Sequence, residues 1–197
     1  MKKLAVSCAL AVGALCAFGQ AHAGVVPVLS VSAVGAPVGD LAVLHDGVFP
    51  AEGTAWTDVS TVNWTGFGVS FTLDLGQAYE LSALDVSVDN NDDYLFEYSL
   101  DGASWATLAK ANASEGNVGW GMDTMSSDPT SPAYVAGLNL TQPVSARYIR
   151  ASATAGDSLN SIGEIQVSGV PVVPEPSTLA MVLAGAAVVG ACRKMRV

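Results

Sequence analysis

The sequence predicts an all-β domain built as an antiparallel sandwich. Three observations carry that prediction: apolar residues recur at every second position, turn residues punctuate the runs at short intervals, and no helical period is sustained between Val25 and Gly169. Val69, Phe71, Leu73 and Leu75 fall on one face, with Ser70, Thr72 and Asp74 on the other. Leu84, Val86 and Val88 repeat the pattern, as do Tyr94, Phe96, Tyr98 and Leu100. Asp101-Gly102 then predicts a tight hairpin, because glycine accepts positive φ. From Asn112 to Pro132 the chain is rich in Gly, Ser, Asn and Asp and reads as a long excursion, after which Arg147 to Ser152 and Ile162 to Ser168 supply two further strands. Many short strands joined by turns can bury their apolar faces only against one another.

The ends of the chain are of a different kind. Over all 197 residues the sequence is 50% hydrophobic and 13% charged, with a mean hydropathy of +0.40, but the longest apolar runs lie at its two termini. Lys2 and Lys3, the apolar stretch Leu4 to Phe18 and the small-x-small string Ala21-His22-Ala23 predict a secretory signal over residues 1–23, removed by signal peptidase to leave Gly24 first. A second apolar run, Leu179 to Cys192, follows Pro174-Glu175-Pro176 and precedes Arg193, Lys194 and Arg196. It gives about 21 Å of helix against a hydrocarbon core of roughly 30 Å, and the basic cluster behind it is the stop signal that makes a transmembrane helix of it. The predicted domain is thus 24–169, with a linker at 170–173 and a tail at 174–197.

Charge excludes one class of partner. Between Gly24 and Val173 lie 17 acidic residues against Lys110, Arg147 and Arg150, a formal charge of −14. A nucleic-acid binder needs a basic footprint to neutralise phosphates, and this segment has none, whereas its charge suits divalent cations. Cys8, Cys16 and Cys192 all lie in the terminal segments, so the mature domain forms no disulfide despite an oxidising compartment.

The string VPEPSTLAMVLAGAAVVGACRKMR resembles the PEP-CTERM sorting signal of exported Gram-negative bacterial proteins, with Pro174-Glu175-Pro176, a short apolar span and a basic end in that order. The resemblance implies processing by a membrane-embedded exosortase, transient anchoring in the inner membrane through residues 179–192, and a destination at the cell surface or in the extracellular polysaccharide matrix.

A second resemblance lies in the domain: Asp46-Gly47, Thr54-Ala55-Trp56, FTLDLGQAYELSALDVSV, YSLDGASW, ARYIRAS and IGEIQVSG occur in the order of the discoidin, or coagulation factor type C, family. It implies a galactose-binding-like jelly roll over about residues 28 to 169, with Trp56 and Trp105 in its core. In many bacterial members a structural Ca²⁺ joins an early loop to the last strand, which implies Asp46, Thr54 and Glu164 here, with carbonyls of Val43 and Gly163. The chain departs from the family in a longer Asp46–Thr54 loop and in having no cysteine pair.

Glycan binding needs an aromatic platform flanked by hydrogen-bonding groups, because sugar rings carry apolar faces edged by hydroxyls. Loops at one end of such a sandwich offer Asn63, Trp64, Asn90, Asp92, Tyr94 and Trp120. Asp89-Asn90-Asn91-Asp92-Asp93 has the hard oxygens of a calcium loop, but Tyr94 and Leu100 break the EF-hand pattern where it needs Gly and Glu. Gly156-Asp157-Ser158-Leu159 matches the name motif of the GDSL hydrolases, yet Ser158 follows a strand late in the domain and His45 is the sole histidine of the mature chain. The sequence therefore predicts a non-catalytic exported module that binds carbohydrate, with a structural matrix protein lacking a specific ligand as the alternative and a secreted hydrolase as the third reading.

Overall fold

The computed structural model describes residues 23–140 and 142–172. The predicted signal peptide up to His22, the sorting tripeptide, the apolar run and all three cysteines lie outside those residues. Among the described residues nine strands form: β1 Gly24–Val25, β2 Ser30–Val34, β3 Val62–Thr65, β4 Ser70–Asp89, β5 Asp93–Ser99, β6 Ala106–Ala111, β7 Met122–Ser126, β8 Val144–Ala155 and β9 Leu159–Pro171. Short 3₁₀ turns occupy Leu41–His45 and Ala136–Leu138. All strand pairs are antiparallel.

Strand β4 organises the architecture. The two apolar runs read separately, Val69–Leu75 (all but Val69) and Leu84–Val88, belong to this one strand of 20 residues. Its first half pairs with β2 on one side and β8 on the other, and β8 pairs onward with β5 and β5 with β6. Its second half pairs with β7 and β9, and β9 carries β3 and β1 along its far edge. Register shifts between Asp74 and Tyr79 and between Leu81 and Ala83 mark where β4 changes partners. Bulges of this kind raise strand twist and let one strand serve two sheets.

Between the sheets lies a core in which Phe71, Leu73, Leu81, Leu84, Val86, Val88, Phe96, Ile149, Ile162 and Ile165 are buried. Trp64, Phe71 and Tyr94 meet edge to face, with ring centroids 5.1 Å apart for Trp64 and Phe71 and 6.3 Å for Trp64 and Tyr94. The Tyr94 hydroxyl accepts the Ser161 backbone N–H at 3.0 Å, so its polar tip is satisfied inside the core. On the outer face of the β7–β4–β9 sheet, Ser87 and Asp89 are buried as well. The chain between Asp40 and Thr61 covers that face, with Pro50 against Gly163 and the Gly53 N–H donating to the Met122 carbonyl at 2.8 Å.

Three local expectations are corrected. The excursion from Asn112 to Pro132 contains β7, held by pairing with β4 and by the buried side chains of Met122 and Met125 rather than by a period-two pattern of its own. The Asp101-Gly102 turn lies in a six-residue loop, with Gly102 at φ +72° and the Asp101 carboxylate accepting the N–H groups of Ala103 and Ser104. Trp105 is only half-buried, with the Arg150 guanidinium 4.3 Å from its ring while the same guanidinium pairs with Glu97 at 2.7 Å. Arg147 pairs with Asp74 through two bonds of 3.0 and 3.1 Å.

Candidate functional site

Four segments converge at one end of the sandwich: the β4–β5 turn, the loop from Asn112 to Gly121, the β8–β9 turn and the stretch around Ala55 and Trp56. They enclose a cleft of about 180 Å³ with Trp56 and Trp120 in its walls and Asp89, Asn91, Gly121 and Asp157 around them. Backbone bonds lock the segments together. The Asn90 N–H donates to the Gly121 carbonyl at 3.1 Å and the Met122 N–H to the Thr54 carbonyl at 2.8 Å. Gly121 is required there: its φ is +71°, and a Cβ would stand 2.6 Å from the Thr54 carbonyl oxygen. The close crossing leaves Trp120 standing out of the surface, 68% exposed.

The β4–β5 and β8–β9 turns are joined by side chains. Asp92 accepts the Asp157 N–H through Oδ1 at 3.0 Å, and Asn91 donates through Nδ2 to Asp157 Oδ2 at 2.9 Å. Asp89 and Asp92 are themselves buried. Desolvation, with the negative charge of Asp157 added to it, pushes the Asp89 carboxyl up to about 6 and the Asp92 carboxyl up to about 7. An aromatic cleft with an acidic, partly protonated floor offers ring faces for apolar contact and oxygens for hydroxyl donors or cations.

Of the residues expected to touch a glycan, Trp120 alone stands open to solvent. Trp64, read as a loop residue, lies in β3 and is 2% exposed, because its strand is wedged between β9 and the core. Tyr94 is likewise core, and Asn90 and Asp92 are buried and do not line the cleft. Asn63 is half-buried and spends its backbone on Val38, with bonds of 2.8 and 2.9 Å. Trp56, expected in the core, is half-buried and lines the cleft instead. Its neighbours Thr54, Ala55, Thr57 and Asp58 show no strand alternation, which is the local signal that it stands outside a packed strand. Asn91 and Asp157 become neighbours only through a meeting of turns 66 positions apart, which no local pattern signals.

A second acidic pair sits away from this end. Asp46 and Glu164 lie together with His45 and Gly47 in a recess of about 210 Å³. Glu164 is buried and accepts the Gly47 N–H at 3.1 Å. Desolvation first, and the nearby Asp46 charge after it, push its carboxyl up to about 7. Thr54 does not line that recess; its carbonyl accepts the Met122 N–H. Ser158 occupies a turn at φ +72°, and the Asp157 carboxylate beside it is engaged by the N–H of Leu159. His45 sits near Glu164, five positions along β9 from Leu159, or about 16 Å at an ordinary strand rise. The GDSL string and the histidine are therefore not brought together.

Residues 39–166 match the family model of the F5/8 type C domain, and residues 172–196 match the PEP-CTERM protein-sorting motif. Among solved structures, the chain is similar to a truncated AlyQ with CBM32 and alginate lyase domains, at 20% identity and a TM-score of 0.48 over 78% of this chain and 35% of that one. It is also similar to CpGH89CBM32-6 produced by Clostridium perfringens, at 20% identity and a TM-score of 0.44 over 71% and 92% of the two chains. A pectin binding carbohydrate binding module gives 17% identity and a TM-score of 0.45 over 76% and 96%. No curated protein sequence matches the chain.

Proposed function

We propose, from the premise that this chain belongs to the F5/8 type C domain family, that it is an exported, non-catalytic surface protein binding carbohydrate in the Trp56–Trp120 cleft. The observation that carries this reading is the cleft itself: its lining holds a solvent-facing indole, Trp120, and a half-buried one, Trp56, together with Asn91 and Asp157. Sugar rings present apolar C–H faces to aromatic rings and hydroxyls to amides and carboxylates, and this lining supplies both.

The sorting tail supports the destination. Its motif begins at Val172, immediately after β9 ends, while Leu159 at the other end of that 13-residue strand lines the cleft. At an ordinary rise the two points are separated by about 40 Å. A chain held transiently by its tail in the inner membrane carries the cleft at the end of β9 remote from that tail, and release of the tail by exosortase frees the domain for extracellular polysaccharide at the surface of a Gram-negative cell.

The purified full-length protein on an array of neutral and acidic polysaccharides tests the binding. Trp120→Ala is expected to weaken capture by about tenfold or more while leaving stability within about 1 kcal/mol, as for other changes outside a core. Absence of binding by the parent, or equal binding by Trp120→Ala, favours the reading in which the sandwich is matrix material with no specific ligand.

The family also implies a structural Ca²⁺ near the last strand. A hard cation fits Asp46 and Glu164, because their two carboxyl groups share a recess in which burial holds Glu164 short of ionisation at neutral pH. Backbone carbonyls complete such a set, since among the described residues no three acidic or imidazole side chains close on one point. Bound there, the ion would join the first and last parts of the domain. Ca²⁺ is then expected to raise the melting temperature of the parent, by mass action on the native state, and not that of Asp46→Ala; equal shifts in both remove the site.

A further inference from the structure

We propose that the domain pairs with a second copy of itself through the free edge of β2, the two strands running antiparallel about a twofold axis at Ser32. This goes beyond the carbohydrate reading and does not rest on it, since association of the protein alone is the test.

An edge strand presents a row of unpaired N–H and C=O groups, and a monomeric sandwich covers or blunts each such row. Other edges here are dealt with in that way. Beyond β3, Val38 exchanges two backbone bonds with Asn63; beyond β7, Ala133 and Val135 bond to Ser126. Edge strand β6 carries the exposed Lys110, and β1 is two residues long. Strand β2 has none of these protections. Over its five residues, Ser30–Val34, it pairs with β4 alone among the described residues, and it contains neither a charge nor a proline. Its inward-facing side chains report the gap beside it: Val31 and Ala33 pack on the core yet stay half-buried, whereas Leu73 and Phe71, opposite them on β4, are fully buried.

Charge and register select a second copy as the occupant. Residues 24–173 carry a formal charge of −14, so two copies repel wherever acidic surfaces meet. Around β2 that repulsion is absent. Residues 23–39 contain no Asp, Glu, Lys or Arg, and Leu29, Val34 and Val38 among them are exposed apolar side chains. Asp74, opposite Ser30 on β4, is already paired with Arg147. The strand also complements itself: with Ser32 facing Ser32 across the axis all five residues find a partner, Ser30 against Val34 on the outward face and Val31 against Ala33 on the inward one. Gly35, at φ +92°, turns the chain away beyond Val34, and Pro27 and Pro37 flank the strand, so the overlap stays short. Pairing would join the β2–β4–β8–β5–β6 sheets of the two copies into one. A twofold contact consumes the β2 edge of both, so association ends at a dimer.

Disulfide trapping reads the register. Residues facing each other across antiparallel strands have Cα atoms about 4.5–5.5 Å apart, within reach of a disulfide. A residue two positions from the axis lies about 14 Å from its own symmetry mate, beyond the limit of roughly 7 Å. With full-length protein in which Cys8, Cys16 and Cys192 are each replaced by serine, mild oxidation of Ser32→Cys is expected to give a covalent dimer, and of Val34→Cys none. Sedimentation over a range of concentrations is expected to show association of the parent that Ser32→Lys weakens about tenfold or more, because it sets two like charges face to face. Ser32 and Val34 are both exposed, so these variants keep the fold, which circular dichroism checks. A parent that stays monomeric throughout the range, equal trapping at positions 32 and 34, or association indifferent to Ser32→Lys overturns the proposal.

Discussion

Replacing Trp64 by alanine is expected to cost the fold about 3–5 kcal/mol, the range for deleting a large aromatic side chain from a core. Trp64 is 2% exposed and makes edge contacts with Phe71 on β4 and Tyr94 on β5, so its ring bridges the two sheets at the level where β3 joins β9. No backbone shift confined to β3 closes that gap, because β3 is fixed to β9 along its whole length from Val62 to Thr65. Trp64→Phe is the informative control. It keeps a ring in the same place and removes an indole N–H that is buried without a partner, so it is expected to retain most of the lost stability. Urea denaturation of the parent, the two Trp64 variants and Trp120→Ala checks the contrast. A Trp64→Ala protein within about 1 kcal/mol of the parent would falsify the placement of this ring in the core.

In buffer free of divalent cations, stability is expected to fall as pH rises from about 5.5 to about 8, the reverse of what a surface-carboxylate protein does. Burial raises Asp89 from 3.8 to about 6, Asp92 from 3.8 to about 7 and Glu164 from 4.5 to about 7. Each group binds its proton more tightly folded than unfolded. Its contribution is fully present below the unfolded value and is lost as pH rises through the folded value. Summed over the three groups the loss is of order a few kcal/mol, enough to lower the melting temperature by several degrees. Asp74, held down by Arg147, and Asp101, held at about 2 by loop N–H groups, run the other way and give up their share only on acidification below 3.8. The window avoids the sequence isoelectric point of about 4.3, where net charge vanishes and precipitation would obscure unfolding. Thermal melts with chelator at the two pH values test the sign, and adding Ca²⁺ at the higher pH is expected to restore stability, because a cation then takes the place of the protons. A flat or rising profile in chelator would mean that these carboxyls are solvated.

The sequence by itself determined what is local in the chain. The alternation in Phe71, Leu73 and Leu75, or in Tyr94 and Phe96, needs only the geometry of one strand to predict which side chains point inward, and those residues are buried. The charge balance and the Pro174-Glu175-Pro176 tail are likewise legible without a fold, and the tail matches its motif. Tertiary structure decided which tryptophan faces water. Trp64 and Trp120 both stand among Asn, Gly and Thr or Asp neighbours, yet β9 and the core close over the first, while the crossing of Gly121 over Thr54 lifts the second into solvent. Tertiary structure also joined two apolar runs into β4 and placed Asp157 against Asp92, 65 positions away in sequence. Burial is a sum over neighbours that the backbone brings together from distant segments. Strand period fixes only the direction in which a side chain points, and the packed layers fix what it meets there.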